Sequence, residues 1–212
     1  MSNLAVIKEL KEGADALNLS FSDDVFEALD VYLQLLIKWN ASFNLSGISN
    51  PDEMVSKHLL DSLAISPFID GKLIADIGTG AGLPGIPLAI ANPDKHFILV
   101  DSNGKKTRFL FQAKLALKLK NITIENCRIE HYQSNQQIDI VLSRAFSSLS
   151  DMADKSAHLL AEEGFLLAMK GRYPYQEIDE LIEGFVVSKI DKLHIPGEDA
   201  ERHLVEIRRS TN

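Results

Sequence analysis

The sequence predicts a doubly wound α/β fold: a mostly parallel, seven-stranded sheet with an antiparallel last strand, preceded by an all-helical extension. Strand-like apolar segments alternate with helical segments after Gly71, a pattern typical of parallel sheets covered by helices. Two consecutive strand-like segments close the chain, which predicts an antiparallel hairpin at one edge. Before residue 71 the periodicity is helical. We therefore predict a helical extension over residues 1–70, packed on an α/β domain over residues 71–212.

The helical extension contains apolar side chains at helical spacing. They are Leu4, Ile7, Leu10 and Leu17 in the first segment, and Val25, Leu29, Tyr32, Leu33, Leu36 and Ile37 in the second. Ser22 stands directly before two aspartates, so it is the predicted N-cap of the second helix. A third helix is predicted to start at Asn50-Pro51 and to end at Pro67.

The α/β domain carries seven predicted strands. They cover residues 72–78, 96–101, 121–126, 138–143 and 164–171, followed by two late strands near 185–191 and 203–208. Three helices are predicted between them: one that Pro84 and Pro87 open and that continues through Ala91, one over 103–119 and one over 150–160.

The composition excludes several classes of protein. The 212 residues are 45% hydrophobic and 25% charged, which is typical of a folded globular chain and not of a disordered one. No apolar stretch reaches the roughly 18 residues needed to cross a bilayer, and the acidic, amphipathic N-terminus is not a signal peptide. A single cysteine, Cys127, excludes a disulfide framework, and the six histidines are too scattered for a metal site. We predict a cytoplasmic protein with no metal and no membrane partner, and we expect a monomer.

Basic residues are concentrated in one segment of an otherwise acidic chain. The whole chain has a net charge of −8, but residues 103–128 carry seven Lys and Arg side chains against Glu125 alone. Because binding depends on the local potential, this segment is a candidate surface for a polyanion. The alternative is a solvated helix face that is rich in lysine.

A glycine-rich loop is the most informative motif. In DIGTGAGLPGIP (76–87), Gly78, Gly80 and Gly82 stand where the first strand stops and the next helix begins. Glycine there permits positive φ and lets a ligand approach backbone N–H groups, so we predict a cofactor loop rather than a simple tight turn. The substitution Gly80→Ala, or a larger residue at Gly82, is expected to abolish cofactor binding and to leave the fold largely intact.

Two cofactors are compatible with this loop. Gly80 to Gly85 matches the dinucleotide pattern G-x-G-x-x-G, and Asp101 follows at the spacing of a ribose-binding acid. S-adenosylmethionine is favoured by Asp76, an acid before the glycines that is available to the ammonium of a methionine moiety. It is also favoured by Pro84, which removes an N–H that a pyrophosphate would use. Asp101 would accept hydrogen bonds from ribose hydroxyls in either case.

Other candidate residues follow later strands, whose carboxyl ends meet at the same crevice. Glu130 and the backbone of Ile129 are placed to meet an adenine, the alternative being a surface Arg–Glu pair. Arg144 brings a cation to the position where methyl acceptors sit, and Lys170, with Arg172 beside it, has the equivalent position after the fifth strand. His58 and Cys127 are expected to be structural.

The residues after the fourth strand also favour a type of acceptor. Methylation of an exocyclic amine commonly uses an Asn/Asp-Pro-Pro-aromatic tetrapeptide there, whereas this chain has SRAF (143–146). Guanine N7 carries no proton, so its methylation needs alignment more than acid–base help. A cation such as Arg144 suits the guanine edge where O6 and N7 lie side by side, which makes Arg144 the candidate catalytic residue.

The sequence resembles a known family, the bacterial 16S ribosomal RNA guanine-N7 methyltransferases, also called glucose-inhibited division protein B. The segments that carry the resemblance are KHLLDS (57–62), DIGTGAGLPGIP, VDSNGKKTRFL (100–110), CRIE (127–130) and SRAF. The resemblance covers about residues 20–172. GLPGIPLAI and SRAF are its specific parts, since the glycines alone would fit any class I methyltransferase.

The resemblance implies the Rossmann-like class I fold of S-adenosylmethionine-dependent methyltransferases. It implies contacts to S-adenosylmethionine at Gly78, Leu83, Ile129, Glu130 and Arg144, and an RNA-facing surface of Lys105, Lys106, Arg128, Lys170 and Arg172. The implied partner is 16S rRNA or the small ribosomal subunit. Cys127 and Ile129 stand where the family often has glycine and alanine.

Two other functions remain as alternatives at this point. The overlapping G-x-G-x-x-G pattern permits an NAD-dependent oxidoreductase. A noncatalytic RNA-binding module with a vestigial cofactor pocket would also retain the basic segment, although Asp76, Asp101 and Arg144 argue against such decay.

Overall fold

The computed structural model describes residues 3–144, 146 and 148–210, and its N-terminal part is helical. Helix α1 spans Asn3–Ala16 and α2 spans Asp23–Phe43. Ser22 occupies the predicted N-cap position with extended backbone, but its side chain makes no capping hydrogen bond. No helix among the described residues is long and apolar enough to span a membrane.

The third predicted helix is not uniform. It consists of α3 (Pro51–Met54), a π-helical segment (Val55–Leu60) and α4 (Asp61–Leu63), followed by a 3₁₀ turn at Ser66–Phe68. Every residue of the π-helical segment except Lys57 is buried. Because packing surrounds this segment on nearly all sides, tertiary contacts outweigh the normal α-helical hydrogen-bonding pattern here. Wide turns of this kind are frequent at functional sites.

A seven-stranded sheet forms the centre of the molecule. Its strands are β1 (Leu73–Ile77), β2 (His96–Val100), β3 (Ile122–Glu125), β4 (Ile138–Ser143), β5 (Leu160–Lys170), β6 (Phe185–Leu193) and β7 (Arg202–Arg209). The order is β3-β2-β1-β4-β5-β7-β6, parallel from β3 to β5, with β7 antiparallel to both of its neighbours. The predicted fold class, including the antiparallel last strand, is confirmed.

The helices between the strands lie close to their predicted positions. They are α5 (Gly85–Ala91), α6 (Gly104–Leu117), α7 (Leu149–Ser156) and α8 (Tyr175–Asp179), with 3₁₀ turns at Ile129–His131 and Ala157–Leu159. The last helix was not predicted, because five residues are too few for a periodic signal. Strand β5 starts four residues earlier than the predicted 164–171, across an irregular pairing register with β4.

Two apolar cores flank the sheet. Successive residues of β2 alternate between them: Phe97 and Leu99 face one core, Ile98 and Val100 the other. The first core contains side chains of α1, α2, α5 and α6, and in it the rings of Tyr32 and Trp39 contact that of Phe109 at centroid distances of 6.1 and 5.8 Å. This core therefore crosses residue 70. The division of the chain into two parts at that residue stays a prediction.

The strand order sets the position of the site. From β1 the chain proceeds outward through β2 to β3, then returns to place β4 on the other side of β1. In such sheets ligands bind in the crevice at the carboxyl ends of the two strands where the order reverses. Here these ends are Ile77 and Ser143, joined by a 2.9 Å hydrogen bond from Ser143 Oγ to the carbonyl oxygen of Ile77.

Candidate active site

The glycine loop leaves β1 with three residues in the left-handed region, at φ +65° (Gly78), +64° (Gly80) and +87° (Gly82). A Cβ added at Gly78 would meet no atom within 4 Å, and Gly78 lines an open cavity. A Cβ at Gly82 would lie 2.5 Å from Ile86 Cδ1 and 2.9 Å from Leu110 Cδ2. A larger residue at Gly82 would therefore press on core side chains, and the expectation that it leaves the fold largely intact stays a prediction.

Asp76 lies beneath the loop and not on the cavity wall. Its carboxylate is fully buried, and its Oδ2 accepts hydrogen bonds from Thr79 Oγ1 (2.6 Å) and Gly85 N (2.8 Å). Burial raises the pKa of Asp76 to about 7, against the opposing effect of those hydrogen bonds. Asp76 thus links the start of the loop to the start of α5. Its predicted contact with an ammonium group stays a prediction.

Asp101 fixes the other side of the crevice at the end of β2. Its Oδ2 accepts a hydrogen bond from Gly80 N and its Oδ1 from Asn103 N, both at 2.8 Å. Asp101 is only 7% exposed, but it lines the same cavity as Gly78. Since a carboxylate can accept about four hydrogen bonds, Asp101 retains acceptor capacity toward the cavity. It both orders the glycine loop and offers oxygens to a ligand.

The cavity beside the loop has a volume of about 510 Å³. Its wall includes the CRIE loop, with Ile129 buried and Glu130 exposed, so the structure brings these predicted residues to the crevice. It also includes Phe146 and Lys155, whose ammonium lies 5.6 Å from the centre of the Phe146 ring. Sequence reasoning assigned neither residue to the site. Leu83, predicted as a cofactor contact, is buried below the loop.

The basic segment does not form one continuous surface. Lys106 and Arg128 line the cavity beside the glycine loop, called the cofactor cavity below, and Lys106 Nζ lies 3.9 Å from Asp101 Oδ2. Lys105 lies in the first turn of α6. Lys114, in contrast, donates a hydrogen bond to the carbonyl oxygen of Ile122. The remaining lysines lie beyond the other end of α6, about 20 Å along the helix axis. The predicted RNA contacts at Lys105, Lys106 and Arg128 are thus near the crevice, whereas three of the seven basic side chains, Lys114, Lys118 and Lys120, are elsewhere.

A second cavity, of about 400 Å³, lies at the end of β4, and its lining includes four cations. Arg144 is joined there by Lys170, as predicted, and by Lys57 and Arg202, which were not predicted. Buried Asp61 holds the two arginines: its Oδ1 lies 2.9 Å from Arg202 Nε and its Oδ2 lies 3.4 Å from Arg144 Nη1. Arg144 Nη1 also donates to the carbonyl oxygen of Lys57 (3.2 Å). Arg172 is exposed, and it directly follows Gly171, which lines this cavity.

His58 borders the second cavity from the π-helical segment. It is buried, its Nδ1 lies 3.1 Å from the carbonyl oxygen of Lys57, and its Nε2 has no hydrogen-bond partner in the described part of the chain. Burial, together with the charge of Arg144, lowers the pKa of His58 to about 4. The imidazole is therefore neutral at pH 7, and it adds no positive charge to the cluster.

The sequence comparisons identify the family. The family model GidB, described as rRNA small subunit methyltransferase G, matches residues 25–205. The chain belongs to this family. The protein named Ribosomal RNA small subunit methyltransferase G from Psychromonas ingrahamii is 45% identical over 206 residues, which are 97% of this chain and 100% of that protein. The protein of the same name from Ectopseudomonas mendocina is 48% identical over 205 residues, 96% of each chain.

The structural comparison agrees on the fold. An S-adenosylmethionine-dependent O-methyltransferase from Thermotoga maritima superposes with a TM-score of 0.57 at 15% identity, over 84% of this chain and 72% of that chain. The predictions of a class I methyltransferase fold and of a GidB-family enzyme that uses S-adenosylmethionine are confirmed. An NAD-dependent oxidoreductase is not favoured.

The geometry of this GidB-family enzyme fits its cofactor. Gly78 leaves open space where any side chain would intrude, and Asp101 offers carboxylate oxygens that suit ribose hydroxyls. Ile129 and Phe146 supply the apolar wall that a planar adenine requires. The assignment of each residue to a cofactor atom stays a prediction.

The helical part of the chain supports the cofactor loop directly. Tyr32 of α2 is fully buried, and its hydroxyl donates a 2.7 Å hydrogen bond to the carbonyl oxygen of Ala81, within the glycine loop. The helical periodicity placed Tyr32 on the apolar face of α2, but it gave no signal for this contact. Helix α2 thus fixes the glycine loop.

Proposed function

We propose that this protein transfers a methyl group from S-adenosylmethionine to N7 of a guanine in 16S rRNA of the small ribosomal subunit. The observation that carries the proposal is the position of Arg144. Its guanidinium is held by Asp61 at the end of β4, adjacent to the end of β1 where the cofactor loop begins. A nucleobase in the second cavity, called the acceptor cavity below, would therefore lie next to the methyl donor.

The chemistry of guanine N7 suits this arrangement. The N7 lone pair is free, so it can form the new N–C bond as the C–S bond of the donor breaks, and no base is needed to remove a proton. Bound S-adenosylmethionine supplies an electrophilic methyl group. Arg144 can donate a hydrogen bond to O6 and so orient the base while the adjacent N7 lone pair stays free for the methyl group, which is the main requirement of such a reaction. Since Asp61 keeps the guanidinium in place, Arg144 does not have to be ordered when the RNA binds.

The charge around the crevice supports an RNA substrate. Lys106 and Arg128 border the cofactor cavity, and Lys57, Lys170 and Arg202 border the acceptor cavity. Cations at such positions bind phosphates without regard to sequence, whereas base contacts supply specificity. Lys105 and Arg172 are exposed beside these groups and belong to the same proposed RNA surface.

The decisive experiment is methyl transfer by the purified protein. Small ribosomal subunits from cells that lack this gene are incubated with methyl-labelled S-adenosylmethionine, and the digested nucleosides are separated by mass spectrometry. We expect label in 7-methylguanosine, at least tenfold less with Arg144→Ala, and partial recovery with Arg144→Lys. Label in another nucleoside, or full activity of Arg144→Ala, would refute the proposal.

Location and assembly follow as part of the same proposal. Its rRNA substrate is made and assembled in the bacterial cytoplasm, so we propose that the enzyme acts there. We also propose that it acts as a monomer. Light scattering of the purified protein tests the second point, and a dimer mass would contradict it.

A further inference from the structure

Two aromatic side chains are exposed immediately after β5. Tyr173 and Tyr175 face each other with ring centroids 4.3 Å apart and ring planes at 39°. Tyr173 is 38% exposed and Tyr175 is 74% exposed. The pair thus presents an aromatic face to solvent, where it contributes little to the apolar cores.

The pair is held in a fixed position. The ring of Tyr173 packs edge-on against that of His203, at 5.5 Å between centroids. Glu177, two residues after Tyr175, accepts hydrogen bonds from Lys170 Nζ (2.7 Å) and Leu149 N (2.8 Å). These contacts tie the segment to β5, α7 and β7. A base that stacks on Tyr175 would meet a surface that needs little reordering.

The pair is also next to the acceptor cavity. Lys170 and Gly171 line that cavity together with Arg144, and Tyr173 follows Gly171 by two residues, at most about 7 Å of extended chain. Arg172 lies between them in sequence and is exposed. Aromatic rings interleaved with cations are the usual arrangement for binding single-stranded nucleic acid, because the rings stack on bases and the cations bind phosphates.

We infer that Tyr175, supported by Tyr173, is a stacking platform for an unpaired base of the rRNA strand that carries the target guanine. The inference rests on the proposed function and adds to it a second, sequence-tolerant base contact outside the acceptor cavity. Exposed Arg172 beside the pair, together with Arg144 and Arg202 of the neighbouring cavity, favours a polyanion over an apolar protein surface as the occupant.

The test compares Tyr175→Ala, Tyr175→Phe and a matched control. The control is Phe43→Ala, which removes a half-exposed aromatic ring stacked on Trp39 at 5.2 Å, on the acidic helical part of the chain. For a 16S rRNA transcript we expect Tyr175→Ala to raise Kd about tenfold, and Tyr175→Phe and Phe43→Ala to change it less than twofold. The affinity for S-adenosylhomocysteine should be unchanged in all three variants.

Several outcomes would overturn the inference. Wild-type affinity in Tyr175→Ala would do so, and so would an equal loss in Tyr175→Phe, since that would indicate a hydroxyl contact and not stacking. A loss seen with assembled subunits but not with the transcript would assign the pair to a ribosomal protein. If the wild-type protein itself fails to bind and methylate small-subunit rRNA, the proposed function fails, which is distinguishable from a failure of this inference alone.

Discussion

Replacing Gly78 and Gly82 separately by alanine should separate cofactor binding from folding. Both glycines have positive φ, so each substitution costs about 1–2 kcal/mol of backbone strain. At Gly82 the new methyl would also overlap Ile86 and Leu110, which adds about 1–3 kcal/mol of overpacking. At Gly78 the methyl meets no protein atom but enters the cofactor cavity.

The assay is urea denaturation of both variants, combined with calorimetric titration by S-adenosylhomocysteine. Because the strain at the two sites is similar, we expect Gly82→Ala to be about 1–3 kcal/mol less stable than Gly78→Ala. We expect Gly78→Ala to lose only the about 1–2 kcal/mol of backbone strain yet to lose most of its affinity for the ligand. Equal stability of the two variants, or wild-type ligand affinity in Gly78→Ala, would refute the reasoning.

Three further predictions concern charged side chains. Asp61→Asn should lower the free energy of unfolding by about 2–3 kcal/mol, because a buried charge partner is lost. Because Arg144 is released from its partner, kcat should also fall, while the affinity for S-adenosylhomocysteine stays unchanged. An unchanged kcat would contradict this. Between about pH 4 and pH 7 folded Asp76 keeps a proton that the unfolded chain has released, so stability should fall by up to about 4 kcal/mol as pH rises. Urea titrations at several pH values should show that stability falls less with rising pH in Asp76→Asn than in the wild type. An identical pH dependence of the two proteins would contradict the raised pKa of Asp76. Charge reversal at both Lys105 and Lys106 should weaken rRNA binding and flatten its dependence on salt in filter-binding assays, whereas an unaltered salt slope would place the RNA surface elsewhere.

The cofactor side of the site could be predicted from the sequence because it depends on local signals. Gly78 and Asp101 each end an apolar strand, and parallel strands bring their carboxyl ends together. The same rule placed Ile129 and Glu130 at the crevice. What the rule could not give was burial: Asp76 at the end of β1 and Leu83 in the glycine loop are buried, and neither lines the cavity beside the loop.

The acceptor side depends on contacts between distant parts of the chain. Asp61 pairs with Arg202 across 141 residues, and no local pattern links them. The π-helical segment that precedes Asp61 also differs from the regular helix that the periodicity predicted. A signal did exist, since Asp61 is an acid flanked by Leu59, Leu60 and Leu63 in a predicted helix, and a carboxylate buried among such residues needs a partner.

The most direct test of the account replaces the acceptor atom itself. Small-subunit rRNA is transcribed with guanosine or with 7-deazaguanosine, which lacks N7 but keeps the base-pairing edge, and both transcripts are assembled into subunits and offered to the enzyme with labelled S-adenosylmethionine. We predict transfer to the guanosine-containing RNA and none to the 7-deaza RNA. Equal labelling of the two would contradict the claim that the acceptor cavity presents guanine N7 to the methyl donor.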